Sequence, residues 1–198
     1  MILFIEHWIG YTWLALFIIW VLAGVLSKRT AQAQTGTSRL FQAGLAFIGL
    51  MLIFNFNNWF VSGWLTSRIT PREAPYVLGG AILTIAGILF SLWARAILGS
   101  NWSAAVTIKE NHTLVRRGPY QIVRHPIYTG FLLGLLGTSF VYGFARCFIG
   151  VLVTGSGILA QVADRRAIYG AALRPAISGI PPAGACAHSL RFVTAAVT

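Results

Sequence analysis

"RRGPYQIVRHPIYTG", residues 116–130, is polar, basic and twice broken by proline, and it runs straight into an apolar stretch that lasts from Ile127 to about Leu159. Pro119 and Pro126 fix their own φ and push Gly118 and His125 toward extended backbone. The chain around this segment decides whether it is a surface loop of a soluble domain or a loop at the mouth of a membrane helix. Composition favours the second. The 198 residues are 57% hydrophobic and 10% charged, with a mean hydropathy of +0.74, whereas soluble domains carry about a quarter charged residues. Fifteen Lys and Arg against four Asp and Glu give a net charge of +11. In an apolar chain this excess reads as juxtamembrane residues that meet anionic lipid and set topology, and not as a nucleic-acid surface. Cys147 and Cys186 have neither metal-ligand nor redox spacing. Cys147 is expected to be a small buried apolar residue.

Working outward from the loop, three spans of roughly 20 residues are long enough for a hydrocarbon core of about 30 Å. They cover about Trp8 to Leu26, Leu40 to Leu65 and Tyr76 to Leu98. The opening "MILFIEHWIGYTWLALFIIWVLAGVL" lacks a basic leader and contains Glu6, so it reads as a span and not as a signal peptide. The run after Ile127 is too long for one span and is interrupted at Gly143–Arg146, which predicts a helix pair or a broken helix. The fold class is therefore all-α, a polytopic integral membrane protein with four to five transmembrane helices. Residues 1–75 form the N-terminal helices, 76–160 a core with a loop over 99–128, and 161–198 a tail expected to be poorly ordered. Lys28, Arg29, Arg39, Arg95, Lys109, Arg116, Arg117 and Arg124 fall on one side and Arg68 and Arg72 on the other. The positive-inside rule puts the long loop in the cytoplasm and the N-terminus outside.

"FNFNNW", residues 54–59, places three asparagines in the second span. Such side chains bond across helices or line a cavity, or they belong to an interfacial belt with Trp59 and Trp64. The loop itself combines Tyr120 and Tyr128, His112 and His125, and Arg116, Arg117 and Arg124. Freed backbone at membrane depth is tolerated where it lines a cavity, and this mixture suits a ligand with an aromatic base, sugar hydroxyls and charge. A solvated basic loop beside acidic lipid is the plainer reading of the same residues. The spacing of His112 and His125, with no carboxylate cluster, does not suit a metal.

"WARAILGSNWS", residues 93–103, followed by "KENHTLVRRGPYQIVRHPIYTG", residues 109–130, resembles the isoprenylcysteine carboxyl methyltransferase family. The family's H-x-L-V turn, G-P-Y and R-H-P-x-Y-x-G blocks occur here in order. The resemblance covers roughly Tyr76 to Gly137. It implies S-adenosyl-L-methionine as cofactor and a lipophilic methyl acceptor, foremost the carboxylate of a prenylated cysteine. Relatives that methylate phospholipids or small thiols have similar loops, and membrane sterol reductases are more distant in likeness. Carried over residue by residue, His112, Thr113, Leu114 and Val115 would form one wall of the cofactor site, Tyr120 another, and His125, Pro126, Ile127 and Tyr128 a third. For Leu114 and Val115 ordinary apolar packing is an equal reading. Arg95 and Arg124 are explained as well by snorkelling from a helix end. The resemblance singles out no catalytic residue.

After about residue 160 the sequence leaves the family's pattern. Members continue into a helix of R-x-x-E type, then F-G-x-x-Y-x-x-Y-R and an ending near L-I-P-F, which closes the cofactor pocket and supplies an arginine to the acceptor. Here the stretch reads "VADRRAIYGAALRPAISGIPPAGACAHSLRFVTAAVT" and has no glutamate. Permitted codons for Asp164–Arg191, read one nucleotide later, spell the family's missing tail in order. This predicts a frameshift ahead of Asp164, natural or from sequencing, and with it a chain whose activity is impaired by the loss of the lid; a lineage-specific tail with its own role is the alternative reading. Coding DNA that cannot spell that string would refute it. Asp164, Arg165 and Arg166 are accordingly given no catalytic role.

Overall fold

A computed structural model of the chain describes residues 1–25, 36–54, 61–99 and 117–178. Its elements are α1 (Ile2–Val25), α2 (Gly36–Ile53), a short 3-10 turn (Gly63–Thr66), α3 (Ala74–Leu98), α4 (Pro119–Ile122), α5 (Pro126–Tyr142) and α6 (Ala145–Ser178). Among the described residues four segments are long and apolar enough to cross a membrane: Ile2–Leu22, Gly36–Ile53, Ala74–Leu98 and Ala145–Asp164. The shorter apolar helix α5 lies among them. The protein is thus an all-α polytopic membrane protein, and among the described residues β-pairing is limited to one isolated bridge between Arg68 and Phe144.

The long run after Ile127 resolves into a helix pair. Gly143 takes φ +74°, its N–H donates to the Ser139 carbonyl at 2.8 Å, and α6 begins two residues later. Left-handed backbone here closes α5 as glycine commonly does after a helix. The second span is shorter than the expected stretch to Leu65, because α2 ends at Ile53 and residues 63–66 form the separate 3-10 turn. Of the asparagine-rich stretch only Phe54 is described; residues 55–60, and with them the reading of those asparagines, lie outside the described residues.

Lipid tails give helices no hydrophobic reason to associate, so close backbone approach and interhelical hydrogen bonds must do so. The antiparallel pair α3–α5 is built on both. Gly80, Thr84, Gly87 and Ser91 on α3 face Gly130, Gly134 and Gly137 on α5. A Cβ built on Gly87 would come within 2.4 Å of the Gly134 nitrogen and 2.5 Å of the Gly130 carbonyl oxygen, so the two backbones touch. At the centre, the Thr84 and Thr138 hydroxyls lie 3.3 Å apart, and the Trp13 indole of α1 donates to Thr138 Oγ1 at 2.9 Å. Trp13 also meets Phe131 edge-on at 5.1 Å and Phe54 at 6.0 Å between ring centroids, which ties α1 to the pair. Ile9, Leu16, Val77, Ile88, Leu135, Val141 and the buried Cys147 complete the core. The outer face of α1, with Leu3, Phe4, Leu14, Phe17 and Leu22, stays exposed, as a lipid-facing surface does.

Helix α2 closes on α6 by the same device. Gly49 approaches the Gly150 carbonyl and Thr154, and Gly157 approaches the Gln42 carbonyl. Near the far end of this contact Gln42 Nε2 donates to Asp164 Oδ2 at 2.8 Å, and the Ser38 hydroxyl is bonded to the same oxygen. The chain divides into two compact units, Met1–Asp164 and Arg165–Thr198. The second is helical as far as Ser178; residues 179–198, with Cys186, lie outside the described residues.

The Trp13–Thr138 bond gives a test of this core. Thr138→Val preserves shape but leaves the indole N–H without its acceptor, so about 1 kcal/mol of stability should be lost. A lowered thermal midpoint in detergent together with a shifted Trp emission would register it.

Candidate functional site

The proline-broken segment is held against the end of α3. Gly118 takes φ +61° and ψ −134°, a conformation that L side chains rarely adopt. Its backbone rests on α3: a Cβ placed there would contact Ile97 Cδ1 at 3.4 Å and Trp93 Cζ2 at 3.5 Å. Pro119 then opens the single turn α4, buried at its first helical position, where a missing N–H costs nothing. The turn ends when Val123 N–H donates to the Pro119 carbonyl at 3.1 Å. Three residues on, buried Pro126 opens α5 in the same way. Val123 is extended (φ −137°, ψ 149°), whereas Gly118 and His125, expected to be extended ahead of their prolines, take φ +61°, ψ −134° and φ −131°, ψ 63°.

One bond ties the start of α5 to α3, and a second closes the end of α3 itself. Ser91 Oγ on α3 donates to the Ile127 carbonyl in the first turn of α5 at 2.9 Å. Arg95 Nη1 donates to the Gly99 carbonyl at 2.7 Å, closing the C-terminus of α3. Arg95 is only 9% exposed; its guanidinium lies at the helix end, where the macrodipole favours a cation, within electrostatic reach of the Tyr120 phenol. Arg124, by contrast, is exposed.

Of the nine residues expected at the site, Tyr120, His125, Pro126, Ile127 and Tyr128 are brought together on this platform at one end of α3 and α5. The His125 and Tyr128 rings lie 6.0 Å apart, inclined by 36°. Tyr120, His125 and Tyr128 are half-buried, with one part in the protein and one part accessible. His112, Thr113, Leu114 and Val115 lie outside the described residues. His125 is the N-cap of α5 without a side-chain cap, so the first-turn amides, which have no acceptor within the helix, face the same end. Trp93, Ile97 and Ser91, which build the floor, escaped the sequence reading. The four-residue spacing of Trp93 and Ile97, which puts them on one face of α3, was the available signal.

The arrangement is that of a membrane protein with a ring-lined, basic-edged platform at one end of its helices. No cluster of His, Cys, Asp or Glu able to hold a metal occurs among the described residues. Residues 80–161 match the isoprenylcysteine carboxyl methyltransferase (ICMT) family, a similarity that covers less than half of the chain. The match contains the whole platform from Trp93 to Tyr128 and ends at residue 161. Protein-S-isoprenylcysteine O-methyltransferase B of Arabidopsis thaliana is 38% identical over 62 residues, which make up 30% of this chain and 32% of that protein. The chain therefore aligns with about a third of that relative's length.

Proposed function

We propose that this protein transfers a methyl group from S-adenosyl-L-methionine to a lipophilic acceptor, the carboxylate of a prenylated cysteine, with the loop end of its helices in the cytoplasm. The observation that carries the reading is the family match over the segment that builds the Tyr120–Tyr128 platform. The residues present suit the cofactor. The inclined rings of His125 and Tyr128 offer faces to an aromatic base or a sulfonium.

S-adenosyl-L-methionine, when bound, supplies a methyl group already activated by its sulfonium, so the chemistry belongs largely to the cofactor. A carboxylate acceptor needs no general base. The protein's task is to hold the partners in line at about 3–3.5 Å and to exclude water. Tyr120 and Tyr128 provide ring surface, and the seats of Gly118 on Trp93 and of Ile127 on Ser91 keep that surface in place. A site beside the helix ends admits a soluble cofactor from water and a prenyl chain from the bilayer.

The test is transfer of labelled methyl groups by the purified protein in detergent, with N-acetyl-S-farnesylcysteine, phosphatidylethanolamine and an alkyl thiol compared as acceptors. Preference for the prenylated carboxylate supports the proposal, and methylation of either alternative would reassign the acceptor. Binding of S-adenosylhomocysteine without turnover would single out a chain impaired by its tail. Absence of both binding and turnover would overturn the methyltransferase reading.

A further inference from the structure

The opposite end of the helix bundle holds a second site. A cavity of about 580 Å³ opens there between the start of α1, the loop before α3 and the α5–α6 turn. Three of its walls carry Arg68, Arg72 and Arg146, and Glu6 is the sole carboxylate among the described lining residues. Glu6 is already engaged, because Arg72 grips it through Nε at 3.0 Å and Nη2 at 2.6 Å. The cavity is left with the net positive charge of Arg68 and Arg146.

Both remaining guanidiniums are placed by the fold. Arg68 pairs with Phe144 in the antiparallel bridge, where Ile69 N–H donates to the Gly143 carbonyl at 2.7 Å and Ala145 N–H to the Ser67 carbonyl at 2.9 Å. Arg146 is 4% exposed and anchors Nη1 on the Leu52 carbonyl at 2.9 Å, yet its Nε has no acceptor among the described residues. The two guanidinium carbons stand 4.9 Å and 4.6 Å from the same Phe144 ring centroid. A buried guanidinium with an unsatisfied N–H is costly unless an anion completes it. The remaining wall, Leu3, Leu14 and Ile53, is apolar and continues into the exposed outer face of α1.

We infer that this cavity is a binding site for one anionic phospholipid, its phosphate held between Arg68 and Arg146 and its acyl chain laid along α1. The charge calls for a phosphate. The continuity of the apolar wall with the lipid-facing side of α1 calls for one that carries a chain. The site lies at the end of α3 and α5 away from Tyr120–Tyr128, and it does not depend on the methyl-transfer reading.

The experiment measures retention of lipid on the full chain by native mass spectrometry, with phosphatidylglycerol, phosphatidylcholine and inorganic phosphate as probes. One phosphatidylglycerol should be retained about tenfold more tightly than phosphatidylcholine. Arg68→Gln, which keeps the backbone bridge to Phe144 and gives up only the guanidinium over its ring, should abolish that preference while lowering the thermal midpoint little. Glu6→Gln should strengthen retention, because it releases Arg72 and removes the negative charge; a merely structural role for these residues would not move in that direction. Equal retention of both lipids, or a preference untouched by Arg68→Gln, overturns the inference. Protection by inorganic phosphate equal to that by phosphatidylglycerol overturns the lipid assignment.

Discussion

Gly87→Leu should prevent the protein from assembling its core, with a loss of about 3 kcal/mol or more, the upper end of what overpacking costs. The atoms that a side chain at Gly87 would strike are the backbone nitrogen and α-carbon of Gly134 and the carbonyl of Gly130. Backbone cannot turn aside as a rotamer can, so the helices would have to part along their whole contact and surrender the Thr84–Thr138–Trp13 bonds with it. Gly79, eight residues earlier on the same helix, has nothing within 4 Å of its would-be Cβ. Gly79→Leu is therefore the matched control, expected to stay within about 0.5 kcal/mol of the parent. Size-exclusion profiles and thermal unfolding in detergent separate the two outcomes. A Gly87→Leu protein as monodisperse and as stable as its control would refute the backbone-contact account.

Tyr128→Ala should weaken S-adenosylhomocysteine binding about tenfold or more, equivalent to about 1.4 kcal/mol, while the helices remain intact. The helix start does not rely on this side chain. Pro126 is buried and Ser91 holds the Ile127 carbonyl, and both are untouched by the change. Tyr128→Phe keeps the ring face and loses only the hydroxyl, so it should retain most of the affinity if stacking is the contribution. Titration calorimetry on the three proteins decides the matter. Unchanged binding in Tyr128→Ala would remove the residue from the site, and equal losses in both variants would transfer its role from ring to hydroxyl.

The spans were legible because hydropathy and length alone specify them: α3 falls where its apolar run predicts, and α1 overlaps its predicted run but begins earlier, at Ile2 in place of Trp8. The interruption at Gly143–Arg146 was visible as well, though only the left-handed Gly143 settles a tight turn in place of a kink. What the eye missed in the sequence was the glycine and hydroxyl seam. Gly80, Thr84, Gly87 and Ser91 repeat at helical spacing, but in an apolar run small residues look like gaps, and their meaning depends on a partner helix fifty residues away. The platform from Gly118 to Tyr128 could be anticipated, since two prolines constrain a short chain strongly. The arginine cavity could not, because Glu6, Arg68 and Arg146 are brought together only by the packing of α1 against the α5–α6 turn. In sequence Arg68 and Arg72 served merely as counterweights in a topology vote, and Arg146 as an interruption.

The seam between α3 and α5 also limits how the protein can move. Two rods in direct main-chain register cannot slide a fraction of a step without driving a carbonyl into a neighbouring amide, so they behave as one beam. The ring-bearing segment from Gly118 to Tyr128 rides on that beam, seated through Gly118 on Trp93 and Ile97 and through Ile127 on Ser91.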